Sequence, residues 1–186
     1  METKTSPKSS RTTIVETALE LFARNGYDRT PISMIAREAN VAQGLMYRYF
    51  TGKEALLKEI VEQSMTEVQS SLKVSTSGLP HEKLEEYLNN VVRMIRSNRD
   101  FWTLFYGLRS QPFVQELLGK EFADFQANAV SLLESFFDPR DPDAQRVEAL
   151  LLYSIVDGIC TSYALAPNAD LYPIEDVKEC VIDKYR

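Results

Sequence analysis

Three observations predict an all-α chain of about nine helices. Apolar residues recur at spacings of three and four along most of the 186 residues, which gathers them on one face of a helix. No segment alternates apolar and polar residues for long enough to make a strand. The intervals between the periodic segments carry helix-stopping residues: Asn25-Gly26, Gly78 with Pro80, Pro112, Asp138-Pro139 and Pro167. Hydrophobic residues make up 44% of the chain, enough to bury a core, so wholesale disorder is excluded.

Taken in order, residues 1–8 are polar, contain Pro7 and predict a disordered tail. A hydroxyl of Ser9 or Ser10 caps a first helix with Ile14, Ala18, Leu21 and Phe22 on its apolar face. Gly26 closes it, because glycine adopts the left-handed conformation without a Cβ penalty. Thr30 as N-cap and Pro31 as first helical residue open a second helix, with Ile32, Ile35, Ala36 and Ala39 facing inward. Asn40 supplies a left-handed turn. A third helix then runs from Gln43 to Phe50, with Met46 and Phe50 inward at i, i+4. Two short helices joined by so tight a turn are the pattern of a helix-turn-helix. Thr51 and Glu54 have capping-box spacing at the head of a fourth, longer helix reaching to about 73. Further helices are predicted over about 82–97, 101–108, 113–137, 143–166 and 174–185.

Charge is unevenly placed. Residues 1–58 hold nine Lys/Arg and six Asp/Glu, and the rest hold twelve and twenty-one. A basic functional end on an acidic body is one reading of that asymmetry, and chance is the other. Two cysteines, Cys160 and Cys180, make no disulfide framework. The N-terminus has no apolar signal region, and no unbroken apolar run reaches membrane length. These features predict a cytoplasmic protein that does not engage a membrane. No metal-ligand spacing, phosphate loop or nucleophile motif is present, and His81, the only histidine, sits beside a Gly/Pro break. The expectation is no enzyme, no cofactor and no metal.

Gly44 is costly in the third helix, by roughly 1 kcal/mol relative to alanine. The segment Val41–Phe50 nevertheless crowds Tyr47, Arg48 and Tyr49 onto the turn that follows it. With Thr30, Ile35-Ala36, Gly44, Tyr47, Tyr49, Phe50, Lys53, Glu54 and Leu57 at their spacing, residues 10–58 resemble the DNA-binding domain of the TetR/AcrR family of transcriptional regulators. The resemblance implies a helix-turn-helix domain over 9–55 and a helical ligand-binding and dimerisation domain over 56–186. It also implies a DNA contact set of Thr30, Gln43, Gly44, Leu45, Tyr47, Arg48, Tyr49 and Lys53.

The chemistry of those residue types suits the part. Gly44 removes a side chain and lets the backbone approach DNA. Tyrosine hydroxyls at 47 and 49 can donate to phosphates, which position without reading sequence. Arg48 can reach guanine O6 and N7, and Gln43 can pair with adenine. Lys53 at a helix start, and Thr30 at another, can grip phosphates. The alternatives are packing roles for the tyrosines, a solvated Arg48 and Gln43, and a carboxylate partner for Lys53. Two departures from the family pattern stand out. Ala42 lies where a serine or threonine often caps the reading helix, and Leu45 lies where a small polar residue is common. Leucine can touch a thymine methyl but cannot hydrogen-bond a base.

For the body, the resemblance implies a small-molecule effector and a two-fold dimer. Met65, Met94, Trp102, Phe105, Phe122 and Phe125 are the candidate ligand contacts, with ordinary core packing as the alternative. Val147, Leu151, Ile155, Gly158, Val177 and Val181 are the candidate dimer contacts, because the 143–166 segment is apolar nearly all round and needs cover on more than one side. The expected function is a dimeric repressor released from a palindromic operator by an apolar or amphipathic ligand. The alternative is a helical protein-interaction module that keeps a degenerate DNA-binding domain.

Overall fold

The computed structural model describes residues 9–75, 78–137 and 140–185, and over these the chain is all-α, without a strand. The expected tail at 1–8, the Asp138-Pro139 stop, and Thr76 and Ser77 of the break before Pro80 lie outside the described residues. The helices are α1 (Ser10–Asn25), α2 (Ile32–Glu38), α3 (Gln43–Tyr49), α4 (Lys53–Ser71), α5 (Pro80–Ser97), α6 (Arg99–Leu108), α7 (Pro112–Glu134), α8 (Pro142–Leu165) and α9 (Ile174–Tyr185). A single 3-10 turn, Ala169–Leu171, separates the last two. The expected boundaries agree with these to within about a turn, the usual uncertainty at fraying ends.

The chain divides into two compact units, one ending at Gln63 and one beginning at Ser64. The division falls beyond the expected boundary at 55. The first turns of α4 belong with the N-terminal unit: Leu56, Leu57 and Ile60 are fully buried, and Glu59 meets Arg11 of α1 at 2.9 Å. In that unit the Ser9 hydroxyl accepts from the Thr12 amide at 3.2 Å and caps α1. Ile14, Val15, Ala18, Leu21 and Phe22 form its buried face. Gly26 closes α1 at φ 87°, and its amide donates to Phe22 O at 3.0 Å. The N-cap of α2 is Pro31 rather than Thr30. α2 packs against both α1 and α3.

In the C-terminal unit α8 is packed by α6 and α7, and α9 lies on α5. Trp102 stacks with Tyr106 at 5.5 Å and meets Phe105 edge-on at 5.3 Å. Full burial of such side chains contributes about 1.5–3 kcal/mol each. By length and composition α8 is apolar enough to cross a membrane, although Asp157 interrupts its apolar run. Six of its side chains, among them Leu152, Val156 and Tyr163, are buried in the protein core.

Val181 is a correction. It was expected at a dimer interface, yet it is buried within its own chain together with Ile174 and Ile182. The apolar face of α9 is consumed by α5. Arg96–Glu175 at 2.6 Å and Lys178 Nζ to Asn89 Oδ1 at 2.8 Å fasten the two helices at the rim.

Candidate nucleic-acid interface and body cavities

The turn between α2 and α3 is built by backbone chemistry. Asn40 takes φ 53°, the left-handed conformation that asparagine tolerates better than most residues. The Val41 amide then donates back to Ala36 O at 2.9 Å. α3 starts on Ala42, whose methyl caps nothing. Met46 and Phe50, 1% and 4% exposed, root the helix in the core. The opposite side carries Gln43, Gly44, Tyr47, Arg48 and Tyr49, all exposed, with Leu45 half-buried. Tyr47 and Tyr49 stand 57% and 42% exposed. Large aromatic rings left in solvent on a helix otherwise so firmly rooted point to an external partner. A Cβ added at Gly44 would meet nothing of this chain within 4 Å, so internal packing does not demand glycine there.

Lys53 begins α4 and is held in place. Its ammonium lies 4.1 Å from the centre of the Tyr27 ring and 5.8 Å from that of Phe22, and it donates to Asp28 O at 3.4 Å. Burial lowers its pKa, with the Asp28 charge opposing. The partner expected as the alternative was a carboxylate; the ammonium instead meets two rings and a carbonyl. Thr30 is a correction. It is wholly buried, and its hydroxyl donates inward to Gly26 O at 2.9 Å and to Leu21 O at 3.3 Å. Its amide donates to Tyr27 O at 3.1 Å. With both donors committed, Thr30 braces the α1–α2 corner and does not present a hydroxyl to phosphate.

Among the described residues of the C-terminal unit, three neighbouring cavities stand out. An apolar cleft of about 470 Å³ is walled by Leu72, Val74, Tyr87, Phe125, Ala129 and Leu132, among others. A more polar cleft of about 440 Å³ is walled by Phe105, Arg109, Gln115, Phe122, Phe125, Tyr153 and Asp157, among others. Both volumes suit a small molecule. A slot of about 40 Å³ is bordered by Met94, Trp102, Phe105, Phe125 and Cys160, among others. Of the six expected ligand contacts, Met94, Trp102, Phe105, Phe122 and Phe125 border these spaces. Met65 borders none of the three; it is buried on α4, packed as core.

Residues 14–60 match the family of bacterial regulatory proteins of the tetR type. The match covers most of α1, then α2, α3 and the first turns of α4. The chain is 31% identical over 115 residues to the uncharacterized HTH-type transcriptional regulator YuxN of Bacillus subtilis (strain 168), covering 59% of this chain and 38% of that protein. It is 27% identical over 86 residues to the HTH-type transcriptional regulator BetI of Vibrio campbellii, covering 46% and 43%. The chain thus spans well under two thirds of the length of these relatives. A TetR-like transcriptional regulator from Rhodococcus sp. RHA1 shares the fold across 97% of this chain and 96% of its own, with a TM-score of 0.78 at 14% identity. These relatives and neighbours are named as regulators, not as enzymes.

Two features of the C-terminal unit bear on its chemistry. α8 leaves Val147, Leu150 and Leu151 exposed at 64%, 38% and 51%. Along the same helix Ser154, Gly158 and Ser162 are exposed and small, and Ile155 is half-buried. On α9, Val177 is half-buried. The second feature escaped the sequence reading. Asp157 accepts from Arg109 Nη1 and Nη2, each at 2.9 Å, and from the Tyr106 hydroxyl at 3.2 Å. The bond to Asp157 raises the Arg109 pKa further. The available signal was Asp157 itself, the one charged residue between Leu150 and Leu165.

Proposed function

We propose that this chain is a dimeric, cytoplasmic, DNA-binding transcriptional regulator of the TetR family, a repressor that leaves a palindromic operator when a small apolar or amphipathic molecule occupies the body. The observation that carries the DNA reading is the outer side of α3. Gln43, Tyr47, Arg48 and Tyr49 stand in solvent around a glycine that the chain's own packing does not require. The second helix of such a unit lies in the major groove. Arg48 makes no ion pair among the described residues and is exposed, so its fork is available to a guanine edge. Lys53, propped on Tyr27, supplies a cation for a phosphate.

The exposed apolar stripe of α8 supports the dimer. Val147, Leu150 and Leu151, followed by Ser154 and Gly158, offer one helix face on which a second copy can pack closely. A two-fold dimer sets two reading helices about 34 Å apart, hence a palindromic site. Ligand regulation then follows as a population shift, DNA favouring one arrangement and ligand another.

Fluorescence anisotropy tests the DNA reading. The protein is titrated against duplex from its own upstream region at several salt concentrations, beside Arg48→Ala and Lys53→Ala. Specific binding with a steep salt slope is expected. Lys53→Ala weakens all sequences alike, and Arg48→Ala mainly loses discrimination, by about 1–3 kcal/mol at one base pair. No binding even at low salt would favour the alternative of an interaction module. The uncapped Ala42 and the apolar Leu45 on the reading helix are the features that recommend it.

A further inference from the structure

The three cavities of the body share walls. Phe125 borders all three. Leu72, Tyr87 and Ala129 border both the apolar cleft and the slot. Phe105, Tyr153 and Asp157 border both the slot and the polar cleft. The slot, about 40 Å³ against about 470 and 440 Å³ for its neighbours, holds on the order of three water-sized spheres. A thin, flexible chain suits such a neck; a ring or a branch does not.

At the polar end stands an ion pair that is already satisfied. The Arg109 fork meets both oxygens of Asp157 at 2.9 Å, the strong bidentate geometry. Tyr106 adds a third donor to the carboxylate, and its ring lies under the guanidinium at 4.7 Å. An anion entering this cleft finds the Arg109 fork already engaged by Asp157, and a cation finds the Asp157 carboxylate already holding three donors, so either competes with a partner in place. An uncharged group meets no such obstacle, and Ser110, Gln115 and Gln126 line the same cleft for hydrogen bonding.

We propose that the body takes one unbranched amphiphile with an uncharged, hydrogen-bonding head. Its chain lies between Tyr87 and Leu132 and passes Phe125, and its head sits beside the closed Arg109–Asp157 pair. This rests on the reading of the body as a small-molecule site and names the class of molecule.

Trp102 is the single tryptophan and borders the slot, so its emission reports occupancy of the neck. The full chain is titrated with 1-decanol, decanoate and decyltrimethylammonium. Decanol is expected to shift the emission saturably, with both charged probes weaker by at least about tenfold. Asp157→Asn, which frees Arg109, is expected to gain decanoate binding, and Arg109→Gln to gain the ammonium probe. Ala129→Phe, which narrows the wall shared by cleft and slot, should shorten the longest alcohol that binds. Preference of the unaltered protein for either charged probe overturns the assignment of the head. No saturable change with any probe overturns the channel. If a variant loses its helical circular dichroism, the selectivity of the unaltered protein decides. Anisotropy with upstream DNA on the same samples separates the two readings. Intact DNA binding without probe binding sinks this proposal alone, whereas probe binding without DNA binding sinks the regulator and leaves the channel.

Discussion

Gly44, Thr30 and Cys160 are each explained by what surrounds one side chain. A methyl at Gly44 would meet open space, so Gly44→Ala should raise stability by up to about 1 kcal/mol through helix propensity. The same methyl should weaken DNA binding several-fold if the backbone approaches a phosphate there. Thermal melts and anisotropy read the two effects separately, and unchanged affinity would remove glycine from the interface. Thr30→Val leaves the carbonyls of Gly26 and Leu21 without their hydroxyl partner. A loss of about 1–3 kcal/mol in urea melts is expected, with no change in the salt slope of DNA binding. Burial pushes the Cys160 thiol up to about 12, with Asp157 adding to the rise, while Cys180 is exposed. An aromatic disulfide reagent at pH 8 should therefore label one thiol per chain at once and the second only on unfolding. Two rapid equivalents would contradict the burial of Cys160.

At the scale of elements, periodicity and stop chemistry made the helices legible. Ser9, Gly26 and Asn40 act where their side chains or backbone freedom say they should. Met46 and Phe50 were readable as the roots of α3, because an i, i+4 apolar pair has one side to hide on. What periodicity does not reveal is which neighbour hides a face. Val181 and Val147 look alike in sequence; α5 covers the first, and the second is 64% exposed. Thr30 failed for a related reason, since a threonine at a helix start looks the same whether its hydroxyl turns out to a phosphate or in to a carbonyl. The Arg109–Asp157 pair joins α6 to α8 across 48 positions, a contact that only the packing of those helices creates. The exposed stripe of α8 carries its own test. Leu151→Asp places a charge on the face assigned to a second copy while leaving the buried Leu152 side intact. Sedimentation should show a shift from dimer to monomer with helicity retained, and an unchanged dimer would move the interface elsewhere.

For the molecule as a whole, alkaline pH is the expected weak side. Burial raises the Tyr27 phenol to about 12, with Glu54 and Asp28 adding to the rise, and Cys160 likewise reaches about 12. Both groups are neutral in the native protein at neutral pH. Unfolded, they release protons near their ordinary values, about 10 for tyrosine and about 8.5 for cysteine. Above those values the unfolded chain binds fewer protons than the native one, so stability falls with rising pH. The contribution is fully present below about pH 8.5 and is lost progressively as pH climbs toward 12. Urea melts between pH 8 and 11 should show a falling midpoint that Tyr27→Phe flattens in its upper part. A flat profile in the unaltered protein would place these groups in water.

The uncovered stripe on α8 has a thermodynamic corollary. If a second copy covers Val147, Leu150 and Leu151, folding and pairing share one equilibrium, and the melting temperature becomes a function of concentration. A dilute chain would then be the fragile form. Its abundance in the cell would respond more than proportionally to its synthesis, because chains that fail to meet a mate keep an apolar helix face open to proteases and to aggregation.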